Sequence, residues 1–300
     1  MIHASATVLP RSEWEPLASA HADRADALTA GHRHRAGRGE KHAIEDFLYE
    51  YYPTRPSRLR RWHPGAGTVL EDAPEHAGWK FYRTEARGTS VDLDAFLEAR
   101  GEGVAHITRL LAATASRPAR LGCFGLHEWA MVYRAGEDRR HPLPLRLGRA
   151  GTDAVVEANP ISCSHFDAFR FFTPEAAPLN ALQPTRATQL DLEQPGCLHA
   201  NMDLYRWAMK LAPAIPSELE LEAFGMALEI RRVDLRASPY DVSGYGLEPI
   251  AVETLEGKRE YAELQANFAR RGADLRSRIV ASVDHMRASV GSPAGEAARS

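Results

Sequence analysis

At 300 residues, 44% hydrophobic and 26% charged, the chain has the composition of a globular protein with a sizeable core. Its formal charge of −3 excludes a global basic field that would draw it to nucleic acid, so any such contact must come from local patches. Three cysteines, an odd number with no C-x-x-C pair, argue against a disulfide framework and for a reducing compartment.

The N-terminal run MIHASATVLPRSEWEP lacks the basic-then-apolar pattern of a secretory signal, and no apolar run reaches the roughly 18 residues of a membrane span. The expected location is cytoplasmic, with no membrane partner. Residues 1–10 read as a flexible N-terminus, 11–290 as a single globular helical domain and 291–300 as a disordered tail, because no linker, repeat or low-complexity segment divides the chain. The expected fold class is mainly α, a single helical domain with a few short strands or extended segments.

In chain order, the capping box Ser12-x-x-Glu15 predicts a helix to about Leu28. The basic, His-rich stretch Gly31–Arg38 reads as a solvated turn or helix face, with a phosphate contact as the functional alternative. Glu40–Tyr52 places Ile44, Phe47, Leu48 and Tyr51 on one side of a helix. The loop Pro53–Gly67 follows, in which Arg55, Arg58, Arg60 and Arg61 flank Trp62 and His63. Such a loop can hold a phosphate backbone and stack a base, or pair with nearby acids. Gly78–Arg83 reads as a short strand and Thr89-x-x-Asp92 as the start of a helix divided near Gly101 and Gly103. Pro142 and Pro144 keep 141–147 extended, and Asp153–Glu157 reads as a strand. Ser217-x-x-Glu220 opens a helix ending before Pro239, Tyr240–Gly246 suits a lid or pocket wall, and Gly257–Arg287 is one amphipathic helix with a break near Gly272.

The organising stretch is Cys197–Leu211, CLHANMDLYRWAMKL. As one helix it puts His199, Asp203, Arg206 and Lys210 on a single polar stripe among large apolar residues. Burying that stripe costs several kcal/mol unless its groups are paired or bind something, so it is expected to line a cavity. Two other stretches resemble it. LGCFGLHEWAMVYR places Cys123 before His127 and Glu128, and ISCSHFDAFRFFTP places Cys163 beside His165 and Asp167. Every cysteine is thus followed within four residues by a histidine, and each histidine by an acid. The functional reading is one site assembled from three segments; the plain one is buried thiols beside core histidines.

No P-loop, G-x-G-x-x-G, G-x-S-x-G, H-E-x-x-H or zinc-deaminase pattern is present. Three chemistries remain open. A metal site would use His127, His165 and His199 with neighbouring carboxylates to hold iron, manganese or zinc and act on a small molecule. Base excision would stack an extruded alkylpurine on Trp129, Tyr133, Phe169, Tyr205 and Trp207, with Asp203, Glu128 or Asp167 as the activating carboxylate. In that reading Arg206 also lines the substrate pocket, and DNA is held by the basic loop 55–62 through Arg61 and Trp62. A non-catalytic module would grip a small anion through Arg206 and Lys210.

The runs GEKHAIEDFLYEYYPTRPSRLRRWHPGAG, LGCFGLHEWAMVYR, SHFDAFRFFTPEAAPLN and QPGCLHANMDLYRWAMKLAP resemble a bacterial family catalogued as 3-methyladenine DNA glycosylase, over about Leu9 to Leu275. The resemblance implies a DNA-repair hydrolase that excises alkylated purines and needs no cofactor. The Gly-Val-Gly hairpin and following Asp of helix-hairpin-helix glycosylases have no counterpart here, so the resemblance carries over no catalytic residue.

Overall fold

The computed structural model describes residues 6–136 and 143–290, and over them the chain is mainly helical with one four-stranded sheet. The first third holds β1 (Thr7–Leu9), α1 (Arg11–Ala36), α2 (Phe47–Tyr51), α3 (Pro56–Leu59), β2 (Thr68–Leu70), α4 (Pro74–Ala77), β3 (Tyr82–Glu85), β4 (Gly88–Val91) and α5 (Leu93–Ala115). Then come α6 (Leu126–Ala130), α7 (Gly148–Ala158), α8 (Phe166–Phe169), α9 (Gln189–Leu192), α10 (Leu198–Met202), α11 (Leu204–Leu211), α12 (Ser217–Arg236) and α13 (Leu255–Val290). The sheet runs β1-β2-β4-β3, with β1 parallel to β2 and the other pairs antiparallel.

Local chemistry accounts for most of these boundaries. The Asp92 carboxylate accepts a hydrogen bond from the Ala95 amide and so caps α5, whose Phe96, Val104, Ile107, Leu110 and Leu111 form the buried stripe. α12 is buried on nearly every side: Leu219, Leu221, Ala223, Phe224, Met226, Ala227, Ile230 and Val233 all face neighbours. It packs against α1, α3, α10, α11 and α13, which makes it the central helix. α13, at 36 residues, is about 54 Å long.

Several expectations give way. Thr7–Leu9 are tethered as β1, paired with Thr68–Leu70, because the edge of β2 offers them a ladder. The rest of the expected flexible start, residues 1–5, lies outside the described residues, as do the expected tail 291–300 and part of the extended 141–147 segment. α1 begins behind Pro10 with no side-chain cap and runs on to Ala36, so most of the basic His-rich stretch is its last turns. The helix expected over 40–52 is only Phe47–Tyr51, since Asp46 and the His42 ring draw the preceding amides into turns. Asp153–Glu157 is helical: Thr152, Val155 and Val156 make a buried face of α7. α5 and α13 pass through Gly101, Gly103 and Gly272 without a break.

At Gly272 the reason is steric. A Cβ there would overlap the side chain of Asn201 on α10. Asn201 cannot step aside, because its amide nitrogen donates to Pro195 O at 2.9 Å and its oxygen accepts from Arg276 at 2.9 Å. The two helices meet so closely only because this residue has no side chain. Gly272→Ala is expected to cost about 1–3 kcal/mol by overpacking, against the gain of about 1 kcal/mol that helix propensity alone would give. Thermal denaturation would read this as a lowered Tm, and a raised Tm would show that α10 and α13 do not touch there.

Candidate metal centre

Each Cys-His segment is a short helix with its histidine near the N-terminal end. Gly125, in a left-handed conformation (φ 70°), turns the chain into α6, and a Cβ there would press within 3.2 Å of Ala237. That turn sets His127 on the first turn of α6. His165 is the residue just before α8, and His199 follows Cys197 onto α10. The three segments converge. Cys123, Cys163, Cys197, His127 and His199 line one cavity of about 40 Å³, room for an ion and one or two waters. The His127 and His199 rings stand nearly perpendicular with centroids 4.5 Å apart, and His165 stacks on His199 at 5.4 Å.

A fourth segment supplies the carboxylate. Asp234 of α12 puts Oδ1 3.0 Å from His127 Nε2, and both atoms are buried. The approach is off the hydrogen-bonding direction, so neither atom has an aligned hydrogen-bond partner. Ligand atoms of His127, His199 and Asp234 lie within 4.8 Å of one another. Two donors each about 2.1 Å from an ion and at right angles about it stand about 3.0 Å apart, so this spacing is that of a shared ligand position. The remaining atoms are held from behind. His127 Nδ1 faces Cys123 Sγ at 3.5 Å, which leaves Nε2 to point inward. Arg231 donates to Asp234 Oδ2 at 3.2 Å and to Glu128 Oε1 at 3.0 Å, which leaves Oδ1 free.

The electrostatics follow. Burial alone would lower His127, but Asp234 beside it prevails and holds the imidazole well above its ordinary value. Burial would raise Asp234, and the His127 charge instead holds it well below the carboxylate range. His199, desolvated and next to His127, is pushed well below its ordinary value and is neutral. Without an ion the positive charge of the histidine pair therefore sits on His127. The Cys163 and Cys197 thiols are pushed up by burial and stay protonated.

Behind this cluster lies a second one. His165 Nε2 sits 3.4 Å from Asp203 Oδ2 and 3.5 Å from Glu193 Oε1. Tyr52 donates to Asp203 Oδ1 at 2.7 Å, and Arg206 lies 2.7 Å from Asp167 and 3.3 Å from Asp203. Asp203 is the joint between α10 and α11, so the polar stripe expected on one helix belongs to two. The acids next in sequence to each histidine are therefore not its partners: Glu128 pairs with Arg231, and Asp167 with Arg206, Arg186 and Arg170. His165, expected as a third ligand with His127 and His199, faces Asp203 and Glu193, and the group that meets His127 and His199 is Asp234.

The rings expected to sandwich a base are packing residues. Trp129 is buried and donates to Ala237 O at 2.8 Å, Tyr205 bonds Thr54 at 2.7 Å, Tyr133 bonds Glu157 at 3.0 Å, Phe169 lies on Phe172, and Trp207 is buried beside His106. None of these five lines the cavity, whose aromatic wall is Tyr261. In the basic loop, Trp62 is buried and donates to Glu218 at 2.6 Å, so it offers no face to a base; Arg60 pairs with Asp26, and Arg61 lies over Trp79 at 5.3 Å. Asp234 and Arg231 are the residues that sequence reading missed. Their one signal is an opposite-charge pair three residues apart inside the apolar pattern of α12.

Burial would raise Asp203, but His165, Arg206 and the Tyr52 hydroxyl bring it down to about 2, from an ordinary 3.8. A depressed carboxylate stabilises the fold above its unfolded value and loses that contribution as pH falls through the folded one. The acid limb between about pH 4 and 2 is expected to contain about 2 kcal/mol from this group. Urea unfolding of Asp203→Asn at pH 7 and at pH 2.5 should show a pH difference smaller by that amount; an equal difference would place the carboxylate outside the network. No protein-family profile, curated protein or solved structure matches this chain.

Proposed function

We propose that the protein is a metal-dependent enzyme that holds one divalent first-row ion, iron, manganese or zinc, between His127, His199 and Asp234, and acts on a small molecule there. The observation that carries this reading is the 3.0 Å approach of His127 Nε2 to Asp234 Oδ1, both buried and neither aligned as a hydrogen bond. Two imidazoles and one carboxylate form a donor set that leaves coordination positions open. The adjoining cavity of about 40 Å³ is where water or a substrate atom would complete the shell. An ion held there would polarise a bound oxygen or lower the pKa of a bound water.

Base excision, which the family resemblance implies, has less support from the geometry. The favoured carboxylate, Asp203, is 1% exposed, with the Tyr52 hydroxyl on Oδ1 and His165 and Arg206 at 3.4 and 3.3 Å from Oδ2, so no face is open from which to activate bulk water. The cavity beside the histidines is too small to seat a purine. The anion-binding role expected of Arg206 is likewise opposed by its engagement with Asp167 and Asp203.

Protein purified without a polyhistidine tag should contain close to one equivalent of a first-row metal by elemental analysis. Asp234→Asn and His199→Ala should weaken retention by more than about 100-fold while circular dichroism stays native. A metal-free wild type that takes up none of the three ions would overturn the reading. Loading must displace the His127 proton, which Asp234 stabilises, so affinity is expected to rise as pH rises through the His127 titration. An affinity that fell with pH would contradict this ligand set. Release of alkylpurine from alkylated duplex DNA by the chelated protein would restore the base-excision reading.

A further inference from the structure

Far from neutral at one place, this acidic chain gathers cations around two adjoining clefts. The outer cleft, of about 610 Å³, is lined by Arg58, Arg100 and Lys210; the inner, of about 200 Å³, by Arg58, Arg61, Lys80 and Arg100, with the Trp79 and Phe81 rings. Arg58 and Arg100 belong to both, so the clefts adjoin. The five cations come from α3, the loop behind it, the turn before β3, α5 and the last turn of α11, so the fold assembles the cluster from five segments.

Structural roles account for only part of this charge. Arg58 donates to Met209 O and Arg100 to Lys210 O, both at 2.8 Å, which satisfies terminal carbonyls of α11. A helix C-terminus presents only about half a negative charge. Arg61 lies over Trp79, Lys80 over Phe81 and Lys210 over Trp207, at 5.3, 4.7 and 5.3 Å. Among the described residues none of the five forms a salt bridge with a carboxylate; Glu98 and Glu102 line only the outer cleft, and Glu220 is buried near Arg58. The cations repel one another: Arg58 helps to lower Arg100, after burial. Mutually repelling charges held around a cavity are stabilised by an anion bound between them.

We infer that the two clefts bind a small polyphosphate, a ligand with at least two phosphoryl groups, independently of the metal centre. Set against Glu98 and Glu102, the five cations leave three net positive charges, more than one phosphate neutralises, and their spread over two adjoining clefts matches a chain of phosphoryl groups. A long polyanion would have to continue past the patch over a surface whose whole chain carries −3, whereas a small one stays within the roughly 8 Å over which the patch dominates.

The test is calorimetric titration of the full chain at low ionic strength with pyrophosphate and with ATP, without added metal. Both are expected to bind at one site, more weakly as salt rises. Lys80→Glu and Lys210→Glu, whose ammonium groups make no hydrogen bond among the described residues, should each weaken binding by about tenfold or more. Arg259→Glu, exposed on α13 outside both clefts, should bind as wild type does. Asp234→Asn should also keep its affinity, which separates this site from chelation at the metal centre. Failure of both ligands to bind, unchanged affinity in the Lys80 and Lys210 variants, or binding of a single-stranded oligonucleotide with neither small ligand would overturn the inference.

Discussion

Two side chains one turn apart on the central helix, Arg231 and Asp234, carry opposite charges into a region almost without water. Each of them alone would cost several kcal/mol to bury, and even as a pair they contribute little to stability compared with apolar residues of the same volume. What the pair supplies is position. Arg231 ties one Asp234 oxygen and the Glu128 carboxylate, so the second Asp234 oxygen can face only one way, toward His127. The orientation of the candidate site thus depends on a bond made behind it, inside a helix that packs against five others. A dry core of this kind also strengthens whatever electrostatic work is done at the cavity.

The breaks in the chain matter as much as its regular parts. α6, α8 and α10 are one turn each, and their histidines sit near N-terminal ends, where the backbone has just changed direction. Three separate bends therefore bring three imidazoles side by side, His127 and His199 at the candidate site and His165 against the second cluster behind it. The joint at Asp203 does the same for the second cluster, because ending α10 there brings a carboxylate to face both His165 and Arg206. The long α13 holds these short pieces together: Gly272 admits Asn201, Gln265 donates to Gly196 O at 2.6 Å, and Tyr261 closes the cavity wall.

Where periodicity was long, the sequence could be read. α5, α12 and α13 repeat their apolar residues over many turns, and the predominance of helix follows from them. Short pieces escaped, because a five-residue helix has too few turns to show a period, and Val155-Val156 alone does not tell a strand from the buried face of α7. In the candidate site, the Cys-His spacing was visible and the convergence of its segments could be suspected. The carboxylate could not, since Asp234 lies 35 residues beyond His199 and pairing across a core leaves no trace in local spacing. Neighbouring acids face elsewhere for a physical reason: Glu128, adjacent to His127 on α6, points about 100° away from it, and Asp167 lies on α8 while His165 is in the extended segment before it.

The three sulfurs around the cavity have a practical meaning. Cys163 and Cys197 are protonated and enclosed, so an alkylating reagent or peroxide meets almost no thiolate while the walls are shut. Their rate of modification then follows how often the surrounding helices part. The protein carries, at its most guarded point, an intrinsic gauge of its own breathing.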